Sequence, residues 1–509
     1  MKKIQIYFLV AILFVLGGCG DDWFDINQDP NALSSVPNPE LILPGSEMAI
    51  ANGIMGWQAG FSGAFWSQYW TQDYTSSQFK YLDEYDETQW EYTWDNIIPS
   101  ALTDLKRIKN NSEQESGEFF VAEALSIYSW QIITDLWGDV PYSESLQGED
   151  GVFSPAFETQ ESIYTDLMKR IDALLAADYS DATLSADFDF IYEGDMDNWM
   201  AFAKSLKLKL MIRLSETSGY DNSTVLSFVN QGGFITESAS IPGSIWEDKD
   251  TKRHPMAEFE DAGYFDNVIA SKTFLDYLRL NGDPRISSYF EENGDGIYMG
   301  AFQGDFASTD DVDANGTPDS QEDWSRVTFA QDLDIPLLST WEVNFYIAEV
   351  YARASDFVNA KAYFDAAVDA SCTFWGVTND ITTSGGYGEF VSTPVEADPV
   401  DTAIQQIAMQ KWVSYCKLQH TEAFLERNRV RYPAVNTVLI KGNRQSVWID
   451  FPVGNFTISV AGRGKLSGKL PVSPLYPNAV VSRNTTNPEQ KSTLGEPVWW
   501  NQKPENEVN

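Results

Sequence analysis

Residues 343–367 read VNFYIAEVYARASDFVNAKAYFDAA, and this stretch decides the architecture. Val343, Tyr346, Ile347 and Val350 recur at helical spacing on one face. Ser355-Asp356 then supplies an N-cap signal, and Phe357, Ala360, Phe364 and Ala367 resume the same period. Ala348, Ala352, Ala360, Ala362, Ala366 and Ala367 leave room for two antiparallel helices to approach closely. The period extends to both sides of this hairpin. Val121, Leu125, Tyr128, Ile132 and Leu136 form a stripe ended by Gly138 and Pro141, and Trp199, Phe202, Ala203, Leu206, Leu210 and Leu214 share a face over 197–216. Further helices are expected around 90–108, 160–176, 401–418 and 421–428.

Paired helices joined by about four residues, with alanine and aromatic positions interleaved, resemble tetratricopeptide units. The expected fold is therefore mainly α, a tetratricopeptide-like α-α superhelix of about four helix pairs stacked on a continuous core. The helical scaffold covers about 40–230 and 336–430. Residues 232–335 are rich in Gly, Asp, Asn and Pro, with only a short helical signal at 271–280, and read as a large irregular insertion forming a ligand face. The segment 432–509 is a Pro/Gly/Asn-rich tail expected to wrap the helices. These pieces make one domain, 19–509, behind a signal peptide at 1–18.

The chain has 509 residues, with 34 Lys+Arg against 75 Asp+Glu and a net charge of −41. Phosphate affinity comes from cationic side chains, so nucleic acid is excluded as a partner. Aromatic residues make up 14% of the chain, enough for a large core and too many for a disordered acidic protein. Two histidines and three cysteines cannot supply a Cys/His zinc site. Lys2 and Lys3 precede an apolar run ending at Leu16, too short for a permanent membrane span. Leu16-Gly17-Gly18-Cys19 resembles the bacterial lipobox, with Cys19 as the lipidated residue, and Gly20-Asp21-Asp22 resembles an acidic tag for export to the outer face of the outer membrane. Cys372 and Cys416 are left as one disulfide or as two buried thiols.

The sharpest local motif runs from Asp311 to Glu322 and satisfies the twelve-position loop D-x-[DN]-x-[DN]-G-x5-E. Asp311, Asp313, Asn315, Thr317 (through its carbonyl), Asp319 and Glu322 would hold Ca²⁺ as a structural staple, with Gly316 at the sharp turn. Pro318 and the lack of flanking helices argue against a paired EF-hand, and the alternative is a solvated acidic loop. Catalytic patterns are near misses. Gly60-Phe61-Ser62-Gly63-Ala64 lacks the last glycine of a nucleophile elbow, and Gly462-Arg463-Gly464-Lys465-Leu466-Ser467-Gly468 misses the dinucleotide spacing.

A dense aromatic stretch spans 57–94, interleaved with amides and carboxylates. Flat apolar rings beside hydrogen-bonding groups suit a sugar, whose C–H face stacks while its hydroxyls are paired. The helically spaced rings Trp57, Phe61, Phe65, Trp90 and Trp94 are assigned to the core. Trp66, Tyr69, Trp70, Asp73, Tyr74, Gln78 and Tyr81 are the ligand candidates, joined by Trp246, Tyr298, Phe302 and Trp324 in the insertion.

Several blocks in order along the chain resemble the SusD/RagB family of outer-membrane nutrient-binding lipoproteins. They are Phe24-Asp25-Ile26-Asn27 with Asp29-Pro30-Asn31, Asp135-Leu136-Trp137-Gly138-Asp139-Val140-Pro141-Tyr142, Gln160-Glu161-Ser162-Ile163-Tyr164, Gly194-Asp195 with Trp199 and Ala203-Lys204-Ser205-Leu206, Asp283-Pro284-Arg285, Gln410-Lys411-Trp412, Tyr476-Pro477-Asn478 and Val498-Trp499-Trp500-Asn501. The Asp-Leu-Trp-Gly-Asp-Val-Pro block and the terminal Trp pair look closest to the second SusD-like subgroup. The resemblance implies a single helical domain without catalysis, lipid-anchored in the outer membrane. It implies a SusC-like TonB-dependent transporter as partner and an oligosaccharide as cargo. A cationic peptide is the alternative ligand, and an acidic surface glycosidase the more distant reading. Ligand residues vary within the family, so none carries over.

Overall fold

The computed structural model describes residues 38–508 apart from 74–75, 87, 250–251, 258–262, 264–266, 307–323, 328–329, 394–396, 438–452 and 487. The Cys19 region, Tyr74 and the Asp311–Glu322 loop lie outside the described residues.

The chain opens with α1 (Leu43–Met55) and α2 (Ala59–Trp66). Next comes α3, made of consecutive turns Glu91–Asp95, Asn96–Leu102 and Thr103–Asn111. Its middle piece is a π-helical turn around Pro99, whose missing N–H and ring cannot sit in a regular α-helical ladder. Four helices follow: α4 (Gly117–Trp137), α5 (Gln160–Ala176), α6 (Met196–Arg213) and α7 (Asn222–Val229). Beyond the insertion, with its single longer helix α8 (Lys272–Asn281), come α9 (Thr340–Arg353), α10 (Phe357–Phe374), α11 (Pro399–Tyr415) and α12 (His420–Val430). Neighbours in sequence pack on one another, α3 on α4, α5 on α6, α9 on α10 and α11 on α12. The mainly α, tetratricopeptide-like superhelix is thus the observed fold.

Side-chain caps start these helices where the sequence places them. Ser116 accepts from Phe119 N, Thr159 from Ser162 N, Asp195 from Asp197 N and Asn198 N, and Ser339 from Glu342 N. In the hairpin, Asp356 is the cap, accepting from Asn359 N, while Ser355 takes the turn itself at φ 59°. Ala348, Ala352, Ala360 and Ala367 are fully buried between helices, whereas Ala362 and Ala366 face solvent. The predicted helix over 197–216 stops at Arg213, because Leu214 N bonds Met211 O and Ser215 N bonds Ile212 O in a tightening last turn. α4 is buried on nearly every face and forms the axis of the first block.

The small sheets are connectors. β1 (Trp70–Gln72) pairs antiparallel with β5 (Val268–Ala270), β2 (Val140–Pro141) with β3 (Phe157–Glu158), and β4 (Ala239–Ile241) with β6 (Ile335–Leu338). The tail adds β8 (Phe456–Thr457) and β9 (Glu507–Val508) in parallel on either side of β7 (Val435–Asn436). It returns across the first block. Trp137 Nε1 donates to Leu475 O at 2.9 Å, Tyr476 OH donates to Asp139 O at 2.7 Å, and Trp500 is fully buried with the Arg213 guanidinium 5.4 Å from its ring. Cys372 and Cys416 are free, buried thiols, and burial raises the pKa of Cys372 to about 11. No described helix is long and apolar enough to cross a membrane.

Candidate ligand platform

The aromatic stretch and the insertion meet in one place. β1 sets Trp70 opposite Ala270 and Gln72 opposite Val268, and Asp73 N extends the ladder to Asn267 O at 2.9 Å. Gln72 closes the loop that follows, its Nε2 donating to Asp73 O and Asn267 O, both at 3.0 Å, and its Oε1 accepting from Phe79 N at 2.7 Å. Asn267 Nδ2 in turn donates to Gln78 Oε1 at 2.8 Å. From the other side, Ala301 N donates to Ala270 O, Ala270 N to Ser325 O and Ser325 N to Met299 O. Gln303 ties the layers together, its Nε2 reaching Phe65 O at 3.1 Å, Trp70 O at 2.9 Å and the Asp83 carboxylate. The tail locks the edge through Gln68, which donates to Thr457 O at 2.6 Å and accepts from Thr457 N at 3.0 Å. Phe306 and Trp324, which flank the Asp311–Glu322 loop, both belong to this region: Lys80 Nζ lies 4.8 Å from the Phe306 ring, and Trp324 packs with Ile269 and Ala301.

One carboxylate sits under the platform. Asp83 is fully buried, accepting from Thr71 Oγ1 at 2.8 Å and Gln72 N at 3.1 Å, and desolvation lifts its pKa to about 7 against hydrogen bonds that favour the charged form. Both histidines are structural and held neutral. Burial pushes His254 and His420 down to about 3. His420 Nε2 accepts from Lys417 N while Nδ1 lies 2.9 Å from Gly60 O, and His254 Nδ1 accepts from Met256 N.

The predicted ligand residues divide into two groups. Trp66, Tyr69, Trp70 and Asp73 are core residues, which corrects their assignment as sugar contacts. Trp66 stacks on Trp90 at 5.4 Å and donates Nε1 to Leu82 O, Tyr69 donates its hydroxyl to Trp412 O and lies edge-on to Phe274, and Trp70 meets His420 edge-on at 4.8 Å. Tyr69 is 0% and Trp70 1% exposed, so neither ring has a face left for a sugar. Trp324 is buried in the same way at 6%, and Phe302 at 1%. The reason is local: β1 is covered on both sides, so its residues bury every face without any helical period to announce it. Gln78, Tyr81, Trp246 and Tyr298 remain half-buried at the surface, and burial raises the Tyr81 pKa to about 12. Among the described residues no group of three His, Cys, Asp or Glu could hold a metal ion.

Sequence reasoning missed the frame itself, Gln72, Asn267 and Gln303, because single amides carry no spacing signal. Three of the blocks that carried the family resemblance supply buried ties of the scaffold. Asp135 pairs with Arg213 at 3.0 Å, Arg285 with Asp283 at 2.6 Å, and Trp412 Nε1 donates to Ser67 O at 2.9 Å.

No curated protein sequence matches the chain. Among solved structures, a chitin-binding SusD homolog from Flavobacterium johnsoniae is 19% identical with a TM-score of 0.68, over 91% of this chain and 99% of that one. A SusD homolog from Bacteroides ovatus is 17% identical with a TM-score of 0.68, over 91% and 99%. One from Bacteroides uniformis is 20% identical with a TM-score of 0.66, again over 91% and 99%. These establish a shared fold. A family model described as "Starch-binding associating with outer membrane", SusD-like_2, matches residues 30–449, and the chain belongs to this SusD-like family.

Proposed function

We propose that the protein is a non-catalytic, cell-surface nutrient-binding lipoprotein. It is anchored in the outer membrane through Cys19, captures oligosaccharide, and passes it to a SusC-like TonB-dependent transporter. The observation that carries this reading is the platform described above in a member of this family. The amide of Gln78 belongs to this hydrogen-bonding frame, and Tyr81 and Tyr298 are half-buried in the two segments that the frame joins, the mixture a sugar ring needs. The chitin-binding relative supports a glycan as the ligand class. The calcium loop Asp311–Glu322 would brace the same face, since its flanking residues Phe306 and Trp324 are part of it.

The test is a glycan and peptide array probed with the chain starting at Gly20, alongside Tyr81→Ala and Tyr298→Ala. Glycan signals that fall in both variants support the reading. Binding confined to cationic peptides selects the peptide alternative, and release of sugar products would overturn the non-catalytic assignment. Calcium is checked separately. Chelation should lower the melting temperature, and a chelator-insensitive melt with no metal in the purified protein removes the staple.

A further inference from the structure

A cavity lies away from the platform, between α8, α10 and α11 and roofed by Tyr387-Gly388 and Val453-Gly454-Asn455. It holds about 240 Å³. Tyr277, Tyr387, Gln405, Gln410 and Asn455 supply its aromatic and polar lining, and Phe364, Met409, Ala434 and Val453 its apolar lining. In a chain of net charge −41, no Lys, Arg, Asp or Glu lines it among the described residues.

Its distinctive group is the carboxamide of Gln410, 2% exposed. Arg285 Nη2 donates to Gln410 Oε1 at 2.8 Å, and a guanidinium offers donors only, so the amide cannot flip. Arg285 is itself fixed by Asp283, at 3.0 and 2.6 Å, and by Ser371 and Ser414 at 3.2 Å. Gln410 Nε2 is left buried with no hydrogen-bond partner among the described residues. Gly388 lies against that nitrogen, where a Cβ would stand 3.1 Å from it and 2.6 Å from Ile381 Cγ2. The walls are equally fixed. Tyr387 donates its hydroxyl to Asp283, and Tyr277 meets the Tyr387 ring edge-on at 5.7 Å and 84°, forming an aromatic corner. A buried N–H without an acceptor is unfavourable, so a ligand that supplies one is bound with a gain specific to that contact.

We propose that this cavity binds one neutral N-acetylated sugar unit, its acetamido carbonyl accepting from Gln410 Nε2 and its pyranose face against the Tyr277–Tyr387 corner. The carbonyl is an acceptor with no proton of its own to place, and the acetamido methyl matches the apolar side chains of Phe364, Met409 and Val453. A charged sugar would find no counter-ion among the described lining residues. The site shares no residue with the platform, so it stands or falls separately from the platform's ligand.

Calorimetry and saturation-transfer NMR on the mature chain with N-acetylglucosamine, glucose and glucosamine test it. N-acetylglucosamine should bind more tightly than the other two. Gln410→Glu, which keeps an oxygen toward Arg285 and replaces the amide donor by an acceptor, should weaken it by about tenfold or more. Gln405→Trp, at the exposed mouth and outside the Arg285 network, should block it without altering the melting temperature, which keeps the test valid if Gln410→Glu folds poorly. Arg107→Ala, at an exposed position outside both the cavity and the platform, should leave it unchanged. Equal affinity for glucose and N-acetylglucosamine, no binding at all, or binding indifferent to both cavity variants would overturn the proposal.

Discussion

The helical scaffold and the ligand platform are both densely tied, but with opposite chemistry. At the centre of the scaffold, Lys209, Arg213, Arg353, Lys411 and Arg429 face Asp135, Glu342, Glu349, Glu422 and Glu426. Arg429 alone bridges Glu349 at 2.6 Å and Glu426 at 2.6 Å, drawn from α9 and α12, and Lys209 bridges Glu342 at 2.7 Å and Glu422 at 2.8 Å. On the platform the described ties are mainly amides and backbone groups around the buried carboxyl of Asp83, with Asp73 buried beside β1. The lesson concerns where charge is used. The scaffold matches buried cations with buried anions to fix how helices from distant parts of the chain meet, and the net −41 is therefore mainly a property of the outer surface.

The largest effect should follow from breaking the scaffold's ion network. Arg429→Met leaves two buried carboxylates short of a partner, and removing one side of a buried pair typically costs about 3–5 kcal/mol. Denaturant unfolding measures it, and adding Glu349→Gln in the same chain should restore part of the loss. A loss no larger than that of an exposed arginine such as Arg107 would mean the network does not organise the scaffold.

Next in size is a pH effect confined to the platform. The folded Asp83 carboxyl, with its pKa raised to about 7, binds its proton more tightly than the unfolded chain, where an Asp titrates near about 4. Its contribution to stability is complete below the unfolded value and is lost as pH rises through about 7. Asp83→Asn does not titrate, so the difference in stability between wild type and variant should shift against the wild type across that window. Asp135, raised to about 6 by burial, titrates in both proteins and cancels from the difference. A pH-independent difference would show that Asp83 is ionised throughout.

What could be read from the sequence follows the same division. The helices were legible because apolar residues repeat every 3.6 positions: 160–176 coincides with Gln160–Ala176, and 401–418 overlaps Pro399–Tyr415. The π-helical turn at Pro99 left no trace beyond the proline itself. The platform was legible only as a region. Aromatic density at 66–85 and in the insertion pointed to surfaces that do come together, but the density measures core as readily as binding surface, and Tyr69 and Trp70 are core. Gln72, Asn267 and Gln303 come from three separate stretches, so only the folded chain reveals that they meet. The same holds for Gln410, whose significance rests on Arg285 occupying one side of its amide.

A smaller loss should come from the platform's central amide. Gln303→Ala withdraws a donor from Phe65 O, Trp70 O and the Asp83 carboxylate at once, and an unsatisfied buried group costs about 1–3 kcal/mol. The damage should also be local. Amide exchange should accelerate in Trp70–Gln72 and Val268–Ala270 while α4, buried on nearly all faces, stays protected. Uniform loss of protection would make the platform part of the same cooperative unit as the scaffold.

The smallest change in stability should accompany the most informative change in function. Gln78 is half-buried and its side chain accepts one hydrogen bond, from Asn267 Nδ2 at 2.8 Å, so Gln78→Ala should cost only about 0.5–1.5 kcal/mol, the net value of a typical intramolecular hydrogen bond. Asn267 nonetheless keeps its backbone tie to Asp73 N and its place beside β5, so the frame survives. If the half-buried rim is where a glycan sits, the variant loses a hydrogen-bonding group at the ligand surface and affinity falls by more than the stability change would suggest. Paired measurement of melting temperature and glycan affinity separates the two. A proportional fall in both would make Gln78 one more tie of the frame, and would move the ligand surface toward Tyr298 and Trp246 on the insertion's side.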